Sequence, residues 1–134
     1  MPYVRVDLAC DPGPDLRRRL LTDLAELFAE VTESPIERVR TQVVVLGPDA
    51  FAVGGVPIAA PADEAPFVTI ALLQGRPATQ HQALIERTGP CVAELLGVPL
   101  GRVRVWIHEV PPDLWGIGGA SAAEQRAAEI AARR

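Results

Sequence analysis

The chain has 134 residues, 49% of them hydrophobic and 22% charged, with a formal net charge of −4; that is enough apolar material for one domain with its own core, and it lacks the basic excess that a nucleic-acid partner demands. All 13 cationic side chains are arginine, which excludes a Schiff-base lysine and a phosphate-binding P-loop, because both need lysine. Two cysteines, Cys10 and Cys91, are too few for a disulfide scaffold and read as reduced, small, packed residues; no apolar run approaches the ~18 residues of a membrane span and no signal peptide opens the chain, so a cytoplasmic protein with no membrane or nucleic-acid partner is expected.

The first element, YVRVDLA (3–9), alternates apolar and polar residues as a half-buried strand does. Pro2 stands at its head, where proline costs no ladder hydrogen bond. Pro2 also follows the initiator methionine, which is usually trimmed before a small residue. Trimming would leave Pro2 with a free secondary amine, which is a base. A helix follows from about Asp15 to Glu33, with Leu16, Leu20, Leu24, Leu27, Phe28 and Val31 at helical spacing and Asp15 as its N-cap. The arginines at 17–19 read as a solvated face of that helix. RTQVVVLG is the next strand, and AFAVGG a hairpin or short edge strand. Beyond the linker AAPADEA (59–65) come the strand PFVTIALLQ, the helix ATQHQALIERTGPCVAELLG, the strand RVRVWIHEV and the hairpin LWGIGG. Gly89-Pro90 predicts a kink in the second helix, because proline removes a backbone donor and clashes with the preceding turn. The tail SAAEQRAAEIAARR carries a capping-box pattern, Ser121 and Glu124, and predicts a short helix laid on a neighbouring subunit or on the sheet. His81 and His108 have no partner at metal spacing, so no metal is expected.

The chain is written twice. Shifted by 64 positions it matches itself without a gap: Pro2 falls on Pro66, Val6 on Ile70, PIERVR on PLGRVR and FAVGG on WGIGG. One domain over 1–134 is therefore expected, made of two homologous halves (2–58 and 66–119), the linker 59–65 and a helical tail 120–134. The fold class is α+β: tandem β-α-β units, each a right-handed crossover, forming a four-stranded sheet with two helices on one face. VVVL and VTIALL are too continuous for a solvent-facing side, so the other face is expected to be apolar and covered in an oligomer.

PFVTIALLQGR followed by VPLGRVRVWIHEVPPDLWGIGG resembles 4-oxalocrotonate tautomerase over nearly the whole of that short chain. The first half matches more loosely, through MPYVRVDL, SPIERVR and FAVGG. The whole is similar to the longer, fused members of the tautomerase superfamily, such as cis-3-chloroacrylic acid dehalogenase. The resemblance implies a tautomerase/MIF-like fold, a homotrimer and no cofactor. It implies Pro2 as the general base. Pro66 is internal, so its nitrogen is an amide without a basic lone pair. The family's first arginine, following a glycine, matches Gly75-Arg76, whereas the first half has Pro12 there. A guanidinium suits a small carboxylate-bearing substrate because its fork makes two hydrogen bonds. The family's second arginine, supplied by a neighbouring subunit, matches both Arg104 and Arg40. Arg104 is preferred because its half keeps the other binding residues. Trp115 takes the place of the pocket aromatic, with Phe51 as its core-packed counterpart.

The implied activity is keto-enol tautomerisation of a 2-hydroxydienoate or arylpyruvate-like acid. The alternatives are decarboxylation, dehalogenation, or a non-catalytic homologue if Met1 is retained. Leu73 stands where the dehalogenases carry a further arginine, and no water-activating carboxylate can be placed.

Overall fold

The computed structural model describes residues 2–133; removal of Met1, on which the base at Pro2 depends, concerns a residue outside them. Strand β1 (Tyr3–Leu8) buries Val4, Val6 and Leu8 and turns Tyr3, Arg5 and Asp7 the other way. Helix α1 (Pro14–Thr32) follows, then a short 3-10 turn and β2 (Arg40–Val45). The hairpin β3 (Ala52–Val53) and β4 (Val56–Pro57) closes the first unit. The second unit repeats the order with β5 (Phe67–Leu73), α2 (Ala78–Leu96), β6 (Arg104–Val110) and the hairpin β7 (Gly116–Ile117) and β8 (Ala120–Ser121). Helices α1 and α2 span 14–32 and 78–96, so both bounds recur 64 residues on. The hairpin turns also correspond. Gly54-Gly55 and Gly118-Gly119 all have positive φ, as a two-residue turn matched to the strand twist requires.

The sheet order is β2-β1-β5-β6. Strands β1 and β2 are parallel, as are β5 and β6, and the central β1–β5 pair is antiparallel, with Tyr3 opposite Ala71 and Asp7 opposite Phe67. Two β-α-β units thus meet edge to edge about a pseudo-two-fold axis. Val4, Val6, Leu8, Val68, Ile70 and Leu72 form the floor of the core, and Leu20, Leu24, Phe28, Leu84 and Val92 from the helices form its roof. No helix among the described residues is long and apolar enough to cross a membrane.

Three local expectations are revised. Helix α1 is capped by Gly13 (φ 92°) with Pro14 in its first turn, and Asp15 lies inside that turn rather than at the cap. Proline has the φ of a first helical residue and no N–H to leave unpaired. Asp11 takes up the polar role: its carboxylate accepts from the Gly13 N–H at 2.9 Å and pairs with Arg17. Helix α2 continues through Pro90 to Leu96 as one element. The adjoining Gly89 is required by packing, since a Cβ there would sit 3.3 Å from Leu100 Cδ1.

The second sheet face is not the apolar surface expected. The register puts Val43 and Val45 beside Val6 and Leu8 on the helix side, so of the valine run only Val44 looks outward. The open face is amphipathic: Tyr3 Oη donates to Gln42 Oε1 (2.9 Å), Arg5 pairs with Asp7 (3.1 Å), and Trp106 Nε1 donates to Thr69 Oγ1 (3.0 Å). The tail also departs from its expected place. Its cap forms, with the Glu124 N–H donating to Ser121 Oγ, but the helix breaks at Arg126 into α3 (Ala122–Gln125) and α4 (Ala127–Ala132). Helix α4 folds back on its own chain, where Arg38 Nη1 reaches both oxygens of Glu129 at 2.9 Å.

Phe28 has no exposed surface and packs between helix and sheet. Phe28→Ala is expected to lower unfolding free energy by about 3–5 kcal/mol in denaturant titrations at fixed protein concentration.

Candidate active site

One end of the sheet gathers most of the expected site residues. Because Tyr3 pairs with Ala71, the buried Pro2 lies beside the C-terminal end of β5, where the chain turns through Gly75 into Arg76. Gly75 has φ 105°, which a side chain would oppose. The Pro2 carbonyl accepts from the Arg40 N–H (3.0 Å), so β2 begins at this end. The Gln74 N–H donates to the Val110 carbonyl (3.0 Å), so β6 finishes here and the turn that carries Trp115 leaves from here.

Arg76 is 6% exposed, the most buried arginine among the described residues. Its Nη1 donates to the Thr32 carbonyl (2.8 Å) and to Gln80 Oε1 (3.2 Å), and its Nη2 to Ser34 Oγ (3.2 Å). Its Nε is buried without a partner. The guanidinium therefore bridges the C-terminal end of α1, where a carbonyl lacks a helical donor, to the first turn of α2. It lines a cleft of about 390 Å³ with Thr32, Glu33, Gly75, Gln80 and Arg133. Burial, then the like charge of Arg133, push its pKa down to about 10, while Glu129 opposes the shift. Arg76 still carries its proton at neutral pH and presents a desolvated cation to the cleft. No local pattern in the sequence marks Thr32, Ser34 or Arg133 as neighbours of Arg76; Gln80, four residues after it at the start of a helix, is marked by spacing alone.

The half-buried Trp115 follows the 3-10 turn at 112–114, and its carbonyl accepts from the Ala122 N–H at 2.7 Å. Arg104 lies elsewhere. It pairs with Phe67, its N–H donates to the Pro66 carbonyl (3.0 Å), and its exposed side chain donates to the Gly101 carbonyl (2.7 Å). That is the opposite end of β5, about 20 Å from Arg76 at roughly 3.3 Å per strand residue. Within one chain Arg40, not Arg104, stands beside Pro2, and Arg104 could meet Pro2 only from another copy. Phe51 packs with Ala9, Ile58 and Ala65 as a small core cluster. Leu73, where the dehalogenases carry arginine, is 1% exposed and belongs to the interior. Among the described residues no group of three or more His, Cys, Asp or Glu could hold a metal ion; His81 meets Glu109 (2.9 Å), and His108 lies edge-on to Trp106.

The chain is a double β-α-β protein with the sheet order β2-β1-β5-β6. The family model described as "Tautomerase enzyme" matches residues 66–125. The chain is 48% identical to the 2-hydroxymuconate tautomerase of Comamonas testosteroni over 59 residues, which are 44% of this chain and 94% of that protein. It is 46% identical to the enzyme of the same name from Pseudomonas putida over the same length and shares. Among solved structures it is similar to a fused 4-OT asymmetric trimer (TM-score 0.84, 27% identity, covering 92% of this chain and 98% of that one). It is also similar to a macrophage migration inhibitory factor-like protein of Entamoeba histolytica (TM-score 0.74, 18% identity, covering 90% and 97%), a likeness of fold alone. The chain belongs to the tautomerase family and is a fused, two-unit member of it.

The shifted Arg76 titration gives a direct check. In a Cζ-labelled protein the Arg76 guanidinium is expected to titrate near pH 10 by carbon NMR. Arg133→Ala removes a like charge that favours the neutral form, so the midpoint is expected to move upward.

Proposed function

We propose that the protein is a cofactor-independent keto-enol tautomerase acting on a 2-hydroxydienoate or arylpyruvate-like acid, with Pro2 as general base. The observation that carries this reading is the burial of Pro2 at the sheet end where Arg76 enters. Arg76 belongs to the half that is 48% identical to a 2-hydroxymuconate tautomerase. The neutral amine of Pro2 takes the proton of the enol hydroxyl as the carbonyl forms. The same nitrogen then returns it to a carbon of the conjugated chain, so no atom is gained or lost and no redox partner is needed. Arg76 holds a carboxylate of the substrate. A second arginine, Arg104 from a neighbouring copy or Arg40 from the same end, faces the oxygen on which charge develops. Trp115 walls the pocket against water.

A homotrimer accounts for this arrangement. Arg104 lies at the far end of its own sheet, and the solved fused 4-OT proteins similar to this chain include trimers. Each chain then contributes one amine, because Pro66 is an amide, and the assembly has three sites. Light scattering is expected to give three times the 14.3 kDa chain mass. A monomer would remove the route by which Arg104 reaches a site.

The loss of 2-hydroxymuconate absorbance tests the assignment. Arg76→Ala is expected to lower kcat/KM by roughly one to two decades, the value of one charged hydrogen bond of about 1.5–3 kcal/mol. Arg102→Ala, which loses only a contact to the Asp63 carbonyl, is expected to change it little. Equal losses would mean that the pocket lies elsewhere.

A further inference from the structure

The end of the sheet opposite Pro2 holds a second arrangement. By the 64-residue repeat its parts are Pro66 for Pro2, Pro12 for Arg76 and Phe51 for Trp115. It therefore has neither a basic amine nor the Arg76 cation. It does have a carboxylate. The linker folds into a 3-10 turn (Pro61–Asp63), anchored by Arg102 on the Asp63 carbonyl and by the burial of Ile58 and Ala65. That turn points Glu64 inward. Glu64 is 4% exposed, the only acidic residue in the interior among the described residues. Its Oε1 accepts from the Ala9 N–H and its Oε2 from the Cys10 N–H, each at 2.8 Å. Among the described residues no cationic side chain pairs with it. A buried carboxylate without a counter-ion is costly unless both oxygens are hydrogen-bonded, and here two consecutive backbone donors meet both.

We propose that this end is a carboxylate-binding site that the chain fills with its own Glu64. The donors are the fixed N–H groups of Ala9 and Cys10, and the chamber is a cleft of about 170 Å³ whose lining includes Leu8, Cys10, Pro12, Leu16, Glu64 and also Asp11, whose carboxylate is engaged by the Gly13 N–H and by Arg17. Its ligand class is a small monocarboxylate. Tethered by a short ordered linker, Glu64 acts at a high effective concentration and keeps free carboxylates out. The linker side chain thus ties the two units together and closes the end that has no base. The proposal stands on the geometry of this end alone and does not require the assignment of Pro2.

Thermal unfolding of Glu64→Ala in sodium formate, against sodium chloride of equal ionic strength, tests it. The variant is expected to melt several degrees below the wild type and to regain at least half of that loss in formate but not in chloride. The wild type is expected to melt at the same temperature in both salts. Formate should also shift the Ala9 and Cys10 amide resonances of the variant in a saturable way. A variant that responds alike to the two salts, or a wild type that responds to formate as strongly as the variant, overturns the proposal. Glu64→Gln keeps the side-chain length and serves if the alanine variant does not fold. Its Ala9 and Cys10 amide protons are expected to move upfield, and wild-type positions for both overturn the proposal.

Discussion

The antiparallel pairing of β1 with β5 is the constraint on which the molecule depends. With Tyr3 opposite Ala71 and Asp7 opposite Phe67, the start of each unit's first strand lies against the end of the other's. The proline that heads one unit is thereby set beside the turn that leaves the other. A slip of one residue would send Val4, Val6 and Leu8 to the open face and Tyr3, Arg5 and Asp7 into the core, so the buried side chains hold the register. Neither unit covers its own central edge. Joined, they share one core under two helices and present two chemically comparable ends.

On this symmetric frame a few substitutions make the ends different. The amine that trimming would free at Pro2 has an amide counterpart at Pro66. The buried guanidinium of Arg76 has a counterpart in Pro12, which carries no charge and sits just ahead of α1. Trp115 stays half-buried beside a turn, whereas Phe51 has joined a small core with Ala9 and Ile58. Glu64 completes the difference by satisfying two backbone donors from the linker. The buried cation of Arg76 and the half-buried Trp115 thus mark one end, and at the other Glu64 meets the backbone donors of Ala9 and Cys10 from within the chain.

Much of this was legible in the sequence, because it is carried by patterns that repeat. The strand alternation, the helical spacing of Leu20, Leu24 and Phe28, and the Gly-Gly turns all recur at a fixed offset, and each follows from local geometry. The gathering of Pro2 and Arg76 at one end follows from the same offset once the sheet closes. What was not legible depends on register and on long-range contacts. A run such as Val43-Val44-Val45 does not say which member faces out; its pairing with Val6 and Leu8 does. An acidic residue near a helix start, such as Asp15, fits the cap and the first turn alike in sequence, and the fixed φ of Pro14 decides between them by starting the helix after Gly13. The clamp on Arg76 comes from Thr32 and Ser34, more than forty residues away in sequence. Nothing local marks those residues as its partners, and the same holds for Glu64 in a linker rich in alanine and proline.

The proposed proton transfer requires a neutral amine at Pro2, beside Arg40 and at the end of the sheet where Arg76 is buried. The measurement closest to that claim is the NMR titration of a nitrogen-15-labelled Pro2 in protein whose intact mass shows Met1 removed. In the proposed site, cationic neighbours and an apolar wall would both disfavour the ammonium form, so a midpoint below that of an ordinary α-amino group, about 8, is expected. The ascending limb of kcat/KM against pH is expected to follow this midpoint. A midpoint at or above the ordinary value, or full activity in chains that keep Met1, would contradict the proposed proton transfer.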